Sequence, residues 1–418
     1  MNTWNKDEQL NALKELRAST DALISYVEAQ DGEQQIPENA MWRFPYAPEA
    51  KFQADKWRHD YSRALISTLS PTQYLCEFNL GNHEWAALSA FYALGLAELL
   101  PRPGQKGVSA EQLAAKSGAS LLRLRTVLRS MSRVHLVSEV GHPLSDEWVG
   151  SEHVDLMRKD SPSPFGSMVE YCMDDAAKCV NTLPALVKKE NANNSGTFLV
   201  FGHQDLFSWY ATEESGYRSS RFNQAMQSLN GILVGGPTED YPWDQVTGLA
   251  VDVAGGVGGQ TIHLVARHSH LKVQIQDLKE VSEDAKKLWA TMPPAWADRV
   301  EIREHDFNEP QPDDVAKEAQ VYFMRFILHD WSNAKAIEIL RNLRKKARPD
   351  AKLLILEVVL FGMDPRYAQI LAVHLMAVAG SNERTEAEYG ALLNAGGWKL
   401  EKTYRTRSVM SVIEATPA

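Results

Sequence analysis

The spacing of apolar residues predicts that the first part of the chain is largely helical. Leucine, isoleucine and valine recur three or four positions apart within residues 1–30, which is typical of an amphipathic helix. Residues 31–60 contain several prolines, so we expect an irregular arm there. Residues 80–100 are rich in alanine and leucine and predict a buried helix, which the prolines of residues 101–104 bring to an end.

A helix–turn–helix pattern follows. Ser109 and Gln112 fit a capping box and Gly118 fits a helix stop, which together predict a short helix. A second helix is expected over residues 121–132, and residues 136–144 resemble a short hairpin. Helix–turn–helix plus hairpin is a DNA-binding architecture in many proteins. The basic residues of the second helix fit either a DNA-binding face or a solvated surface; they are Arg123, Arg125, Arg129 and Arg133.

The pattern changes near residue 240, where short β-rich runs begin to alternate with helical ones. These runs occupy residues 248–253, 271–275, 300–303, 321–326 and 352–359. Such alternation predicts βαβ units, and hence an α/β Rossmann-like domain with a mostly parallel, doubly wound sheet. We therefore divide the chain into an N-terminal helix and irregular arm (1–75), a mainly helical, winged-helix-like domain (76–150), a further helical segment (151–235) and the Rossmann-like domain (236–418).

Composition narrows the classes of function. The 418 residues are 44% apolar and 23% charged, as in ordinary globular proteins. The formal net charge of −10 disfavours nucleic-acid binding. No apolar run is long enough to predict a membrane span, and the first residues are too polar for a signal peptide. Cys76, Cys172 and Cys179 form no CxxC pair, so we expect free thiols in a reducing cytoplasm and no metal site.

A glycine-rich turn is the strongest candidate for a nucleotide site. After Asp252, at the end of the first β-rich run, come Gly255 and Gly256, and a helix begins at about Thr261. Glycines let the backbone turn sharply and approach a ligand closely. Asp277 ends the next β-rich run, where an acid can accept hydrogen bonds from ribose hydroxyls.

Two further residues bear on which nucleotide binds. Asp306 and Phe307 follow the third β-rich run and offer a polar group and an aromatic ring to an adenine. No GxxxxGK[ST] motif is present and Arg267 is the only basic residue near the glycine turn, so a phosphate-binding loop is disfavoured. NAD(P) fits the glycine turn as well. The Asp306–Phe307 pair favours a nucleoside without a pyrophosphate, namely S-adenosylmethionine (SAM).

The candidate acid–base residues lie at or near the ends of later β-rich runs. His329 follows the 321–326 run, at the edge of the sheet where ligands gather, and its ordinary pKa of about 6.5 suits removal of a hydroxyl proton. Glu357 lies in an apolar run and needs a buried partner, which His329 would supply. Glu383 is a third candidate. The structural alternatives are that His329 caps the next helix and that Glu383 is an acid at a helix N-terminus.

In their order and spacing, these residues resemble the caffeic-acid-type O-methyltransferases of plants and fungi. The matching positions are 252–259, 277, 306–307, 325, 329–331, 357 and 382–385, and the likeness spans roughly residues 80–415. The resemblance implies a SAM-dependent O-methyltransferase that works as a homodimer on a small-molecule acceptor. It also implies that the 76–150 segment is a dimerisation domain rather than a DNA reader, and that the 151–235 segment contributes to the acceptor pocket.

The resemblance further implies a role for individual residues. His329 would be the general base, oriented by Glu357 and Glu383. The residues that would hold SAM are Asp252, Gly255, Gly256, Asp277, Leu278, Asp306, Phe307 and Arg325, which stands where the family commonly has lysine. The residues that would line the acceptor pocket are Met173, Asp174, Phe222, Met226, Phe326, Val373, His374 and Val378. Ala254 replaces the first glycine of the family's turn, which is tolerable only if its φ is not positive.

Two rival functions stay open at this point. Some fungal relatives of these enzymes catalyse pericyclic reactions or dehydrations in which SAM is an electrostatic element, and they often lack the histidine of the His-Asp-Trp motif. Because His329 and both glutamates are present, the sequence favours methyl transfer to a planar, aromatic or polyketide-like metabolite. The second rival is a DNA-binding regulator built on the winged helix, which the acidic net charge disfavours.

Overall fold

The computed structural model describes five stretches of the chain. These residues fold into two compact units. The described residues are 5–30, 48–161, 165–203, 205–362 and 366–418. The first unit consists mainly of Arg63–Ala185 and Thr197–Leu229, and the second mainly of Leu10–Ser62, Leu186–Gly196 and Asn230–Ala418. Within the described residues, no helix combines the length and apolarity needed to cross a bilayer.

The N-terminal part is more helical than the proline content predicts. Its helices are α1 (Lys6–Glu28), α2 (Pro48–Ser67), α3 (Pro71–Ala93) and α4 (Leu96–Leu99). The helix expected within residues 1–30 is therefore confirmed. The irregular arm expected over 31–60 is wrong for residues 48–60, and its first part lies outside the described residues. Pro48 is the first residue of α2, where a missing N–H costs no hydrogen bond, so it starts the helix rather than breaking it.

Helix α3 differs from the expected buried helix over 80–100 in its limits and its exposure. The helix ends at Ala93, and Gly95, with φ 65°, separates it from α4. Phe91 is buried, but Phe78 is 72% exposed and Trp85 41% exposed. Alanine and leucine content alone does not tell which face of a helix is covered, so the prediction of burial was wrong. The boundary placed between residues 75 and 76 falls inside α3.

The two helices of the helix–turn–helix pattern form as predicted, whereas the second strand of the hairpin, Glu147–Gly150, lies after the expected range of 136–144. In order, its elements are β1 (Val108–Ser109), α5 (Ala110–Ser117), α6 (Leu121–Arg133), β2 (Val137–Glu139) and β3 (Glu147–Gly150). The capping box is present and Gly118 is left-handed at φ 71°. The three strands form an antiparallel sheet in the order β1-β3-β2. Arg125 is paired with Asp146 at 2.6 Å, which ties one of the four arginines to the hairpin.

The described residues between 151 and 240 are largely helical. Their helices are α7 (Glu152–Asp155), α8 (Gly166–Tyr171), α9 (Ala177–Val180), α10 (Leu183–Leu186), α11 (Gly196–Phe201), α12 (Leu206–Tyr210), α13 (Tyr217–Leu233) and α14 (Gly235–Asp240). A π-helical turn, Cys172–Ala176, lies between α8 and α9. The boundary placed at residue 236 falls within α14.

The C-terminal domain has the predicted Rossmann-like architecture. Its strands are β4 (Leu249–Val253), β5 (Lys272–Asp277), β6 (Val300–Glu304), β7 (Ala319–Arg325), β8 (Lys352–Leu360), β9 (Arg384–Thr385), β10 (Trp398–Arg405) and β11 (Met410–Pro417). The sheet order is β10-β11-β8-β7-β4-β5-β6, with β9 beside β8. Strands β4 to β8 are parallel, whereas β11 pairs antiparallel with β8 and β10.

Helices cover this sheet and complete its core. They are α15 (Gly259–Arg267), α16 (Lys279–Trp289), α17 (Pro294–Ala297), α18 (Asp313–Glu318), α19 (Asn333–Arg344), α20 (Arg366–Ala379) and α21 (Glu386–Ala395). Strands β7 and β8 are buried along most of their length, which explains their continuous apolar sequences. Because β4, β5, β7 and β8 are parallel, the segments that follow their carboxyl ends lie at one edge of the sheet.

Candidate active site

The glycine turn after β4 is shaped by close packing on one side and open space on the other. The amide of Gly255 donates to the carbonyl of Gln276 at 3.0 Å, which ties the turn to β5. A Cβ at Gly255 would overlap the Asp252 carboxyl, so a side chain is not tolerated there. Gly256 has φ 60°, and no atom lies within 4 Å of where its Cβ would be. Gly256 is half-buried, and the space beside it is open to a ligand.

Ala254 has a positive φ, contrary to the expectation that alanine is tolerable at this position only if φ is not positive. Its φ is 56°, in the left-handed region, although it carries a Cβ. This conformation costs an L-residue about 1–2 kcal/mol relative to the right-handed region. The turn therefore keeps its shape at the price of backbone strain at the position where the family has glycine.

Asp252 is a buried carboxyl at the base of the turn. Burial raises its pKa to about 7, although a hydrogen bond from the Thr261 hydroxyl at 2.6 Å and the charge of Arg325 oppose the shift. Burial also lowers the pKa of Arg325, and the charge of Asp252 counteracts that effect. The two predicted cofactor residues therefore interact electrostatically beneath the glycine turn.

Asp277 closes the same edge of the site. Its Oδ2 accepts from the amide of Gly256 at 2.8 Å, and its Oδ1 accepts from the amide of Leu278 at 2.8 Å. Burial raises the pKa of Asp277, and these two hydrogen bonds oppose the shift. Asp277, the predicted ribose-binding acid, is thus held in place by hydrogen bonds from the glycine turn and from the residue that follows it.

The two residues expected beside an adenine have separate contacts. Oδ1 of Asp306 accepts from the backbone and side-chain amides of Asn308, both at 2.8 Å. The ring of Phe307 packs edge-on against Trp331, with centroids 6.1 Å apart. Trp331 follows His329 closely in the chain, so Phe307 links the cofactor segment to the candidate base.

His329 lies in a short 3-10 turn, Leu328–Asp330, directly after β7. Its side chain is buried, with Nδ1 3.1 Å from Oε1 of Glu383 and Nε2 3.5 Å from Oδ1 of Asp330. Burial alone would lower the pKa of His329. The hydrogen bond and charge of Glu383, with smaller effects from Asp330, outweigh burial and raise the pKa to about 9. The structure thus brings His329 and Glu383 together as the sequence predicts.

Glu357 has a different partner from the expected one. Its Oε1 accepts from the backbone amides of Ile327 (3.0 Å), Leu328 (2.6 Å) and His329 (3.2 Å), not from the imidazole. Its Oε2 accepts from the hydroxyl of Tyr389. A buried carboxylate does need partners, as the sequence indicated, but successive amides of a tight turn supply them. Glu357 therefore orients the backbone of the His329 turn.

Arg384 holds the other side of this turn, and sequence reasoning did not assign it a role. Its Nη1 donates to the carbonyl of Leu328 at 2.7 Å and its Nη2 to the carbonyl of Trp331 at 2.6 Å. The only signal was its position beside Glu383 in the matching 382–385 segment. Tyr389 was also missed, because nothing in the sequence marks its hydroxyl as a partner of Glu357.

The predicted acceptor-lining residues fall in both units. In the first, Met173 and Asp174 lie in the π-helical turn, and Phe222 and Met226 lie on α13. Asp174 pairs with Arg221 at 3.2 Å and with Lys178.

In the second unit, Phe326 follows β7, and the remaining lining residues lie on α20; they are Val373, His374 and Val378. Burial lowers the pKa of His374 to about 4, which leaves its imidazole neutral at physiological pH. Among the described residues, no group of three or more His, Cys, Asp or Glu side chains is arranged to hold a metal ion.

Comparison with known proteins identifies relatives of this arrangement. A 4-O-methyltransferase of Phanerochaete chrysosporium is 25% identical over 86% of this chain and 87% of its own length. The crystal structure of CalO1, a methyltransferase of calicheamicin biosynthesis in its S-adenosylhomocysteine-bound form, is 25% identical, with a TM-score of 0.69 over 84% of this chain and 100% of that one. A pericyclic reaction enzyme shares the fold, with 20% identity and a TM-score of 0.70 over 97% of this chain and 100% of that one.

The family assignment rests on the whole catalytic region rather than on any single motif. The model of the O-methyltransferase domain matches residues 182–399, which include the glycine turn, the His329 turn and Glu383. The resemblance stated from the sequence is thereby confirmed, and this chain belongs to the O-methyltransferase domain family.

Proposed function

We propose that this O-methyltransferase transfers the methyl group of SAM to a hydroxyl of a small aromatic or polyketide-like metabolite, with His329 as the general base. The observation that carries the proposal is the buried contact of His329 with Glu383, 3.1 Å from Nδ1 to Oε1. A carboxylate at Nδ1 holds the proton there, so that the lone pair of the neutral imidazole lies on Nε2. Nε2 is then the atom that accepts the proton of the acceptor hydroxyl.

The cofactor side of the proposal rests on the turn after β4. Space is open beside Gly256, and Asp277 lies there with both carboxylate oxygens accepting from backbone amides. This combination suits a nucleoside with a ribose, and the Asp306–Phe307 pair favours one without a pyrophosphate. When bound, SAM supplies an electrophilic methyl group on a sulfonium. Asp252, Gly255, Gly256, Asp277, Leu278, Asp306, Phe307 and Arg325 would hold it.

The pKa of His329 suits a phenolic or enolic acceptor. The pKa of protonated His329, about 9, is close to the pKa of a phenol, about 10. The proton transfer is then nearly balanced in free energy. The side chain of Asp330 is half exposed, with Oδ1 3.5 Å from Nε2, and it offers the imidazolium proton a path to solvent before the acceptor binds.

The experiment that tests this function is a mass-spectrometric assay of the purified protein with SAM and a metabolite extract of its source. We expect S-adenosylhomocysteine to form together with a product heavier by one methylene, and both to form at least about 10²-fold more slowly with His329→Gln. An acceptor that isomerises or loses water while SAM stays intact would contradict methyl transfer. That outcome is not favoured, since the matching family model and curated relatives are O-methyltransferases.

We also infer that the protein is a homodimer. The support is the large apolar side chains that α3 leaves in solvent, since such a concentration is unusual for a monomer. They are Leu75, Phe78, Leu80 and Trp85, of which Leu75, Phe78 and Trp85 share one face of the helix. Phe78→Glu should produce a monomer in analytical ultracentrifugation. Leu144→Glu, which alters an equally exposed leucine in the loop between β2 and β3, should leave the dimer intact. A monomeric wild-type protein would refute the inference.

A further inference from the structure

Phe326, the residue that opens the His329 turn, has a backbone conformation that aromatic residues rarely adopt. Its φ is 55°, between the last residue of β7 and the 3-10 turn that carries His329. Left-handed backbone is disfavoured for a bulky side chain and is found where the surrounding structure imposes it. Glycine would adopt this conformation freely, so the presence of phenylalanine calls for a physical reason.

The surrounding hydrogen bonds impose this conformation. The amide of Phe326 donates to the carbonyl of Leu356 at 3.2 Å. Glu357 binds the amides of the three residues that follow, and Arg384 binds the carbonyls of Leu328 and Trp331. The turn is therefore held through both its donors and its acceptors, and Phe326 cannot relax without breaking these contacts.

The conformation places the Phe326 ring against the candidate base. The rings of Phe326 and His329 are nearly parallel, with an interplanar angle of 8° and centroids 4.9 Å apart. The guanidinium carbon of Arg325 lies 5.7 Å from the centroid of the same phenyl ring. A parallel aromatic ring restricts rotation of the imidazole about its side-chain bonds, which the single hydrogen bond to Glu383 does not do by itself.

We propose that Phe326 is a positioning residue for His329: its left-handed backbone lays the phenyl ring on the imidazole and so fixes the plane in which Nε2 meets the acceptor hydroxyl. This inference rests on the proposed role of His329 as the base. It differs from the role that the family resemblance implies for Phe326, which is simple contact with the acceptor. The stacked ring also favours the imidazolium form of His329, because a cation is attracted to an aromatic face.

Steady-state kinetics separate the two roles. Phe326→Leu keeps an apolar side chain of similar size but removes the ring. We expect kcat to fall by about 10-fold or more, because a misplaced catalytic group can cost up to about 10²-fold, while KM for the acceptor changes little. Phe326→Tyr and Phe326→Trp should restore most of kcat. A higher KM with unchanged kcat in Phe326→Leu would show acceptor contact only and would overturn the proposal.

A second measurement does not depend on turnover. NMR of the full-length protein, labelled with nitrogen-15 histidine and with S-adenosylhomocysteine bound, follows the titration of His329. The His329 resonance is assigned as the one that is missing in His329→Gln. Phe326→Leu should lower the pKa of His329 by about half a unit to one and a half units, as expected for loss of a buried cation–π contact. An unchanged pKa would overturn the stacking argument. If His329→Gln retained turnover, the proposed function would fail, whereas the titration would still show whether the rings interact.

A matched pair tests the backbone. Phe326→Ala and Phe326→Gly both lack the ring, but only alanine retains the disfavoured Cβ at φ 55°. The glycine variant should therefore melt at a higher temperature than the alanine variant, with kcat reduced in both. An alanine variant as stable as the glycine variant would show that the turn does not impose a strained backbone on this position.

Discussion

The Nδ1 atom of His329 lies 3.1 Å from Oε1 of Glu383, a contact that joins two buried side chains from separate segments of the second unit. Burial disfavours the charged form of His329, but the hydrogen bond and charge of Glu383 outweigh burial and raise the pKa of His329 to about 9. At neutral pH the resting His329 is therefore an imidazolium. The base becomes available only when Nε2 loses its proton, which has direct consequences for the pH dependence of the enzyme.

Replacing His329 by Gln should greatly reduce turnover while leaving cofactor binding nearly intact. General-base catalysis contributes about 10²–10⁴-fold, so we expect kcat to fall by that factor. The Kd of SAM in isothermal titration calorimetry should stay within about 2-fold, because that side chain lies outside the glycine turn. His142→Gln, at an exposed position in the loop after β2, is the matched control and should change neither quantity. An unaffected rate in His329→Gln would refute the base assignment.

Glu383→Gln should move the pH–rate profile to lower pH. Only neutral His329 can accept a proton, so kcat/KM of the wild type should rise as pH increases towards a pKa of about 9. Removing the charge of Glu383 lowers that pKa towards the ordinary value of about 6.5, and the acidic limb shifts accordingly. The plateau should be lower because the ring loses its orienting partner. An acidic limb at the same pH in both proteins would contradict the assignment.

The raised pKa of His329 also makes the stability of the fold decrease at high pH. The pKa of His329 in the folded protein, about 9, exceeds the unfolded value of about 6.5. The pair therefore stabilises the fold fully below pH 6.5, and this contribution is lost as pH rises through 9. Urea unfolding at several pH values should show this decline in the wild type, and a smaller one in Glu383→Gln.

Glu357→Gln should destabilise the fold as well as slow the reaction. The carboxylate is buried and accepts from three turn amides and from Tyr389, whereas glutamine offers a single acceptor oxygen. Leaving a buried charge-assisted network incomplete costs about 2–3 kcal/mol in the free energy of unfolding. Glu338→Gln, on the exposed face of α19, should change that free energy by less than about 0.5 kcal/mol. Equal effects of the two variants in urea unfolding would show that Glu357 does not support the turn.

Ala254→Gly should stabilise the protein, contrary to the usual effect of glycine. Relief of the left-handed strain at φ 56° is worth about 1–2 kcal/mol and outweighs the loss of about 0.4–1 kcal/mol from the greater freedom of the unfolded chain. Ala115→Gly, at an exposed position of α5, is the control and should destabilise by about 1 kcal/mol. Thermal unfolding of both variants checks the sign. A destabilised Ala254→Gly would mean that the turn is not strained.

The architecture of the C-terminal domain could be predicted because its signals are local. Strands β7 and β8 contain continuous apolar runs, and β4, β5 and β6 are short β-rich runs separated by helices. In the N-terminal part, the capping box at Ser109 and the left-handed Gly118 likewise depend only on neighbouring residues. The candidate residues at strand ends could likewise be predicted, since the carboxyl ends of parallel strands meet at one edge of a sheet. The exposure of α3 could not, because composition does not say which neighbours a helix has.

By itself, the sequence determined the fold class and the family, and it indicated His329, Glu357 and Glu383 as candidate acid–base residues. Tertiary structure alone decided how these residues are connected: Glu357 binds the amides of the turn, Glu383 binds the imidazole, and Arg384 holds the carbonyls. It also decided that Ala254 and Phe326 are left-handed. The physical reason is that these features depend on the backbone path of loops that distant strands bring together, and no local pattern of side chains specifies that path.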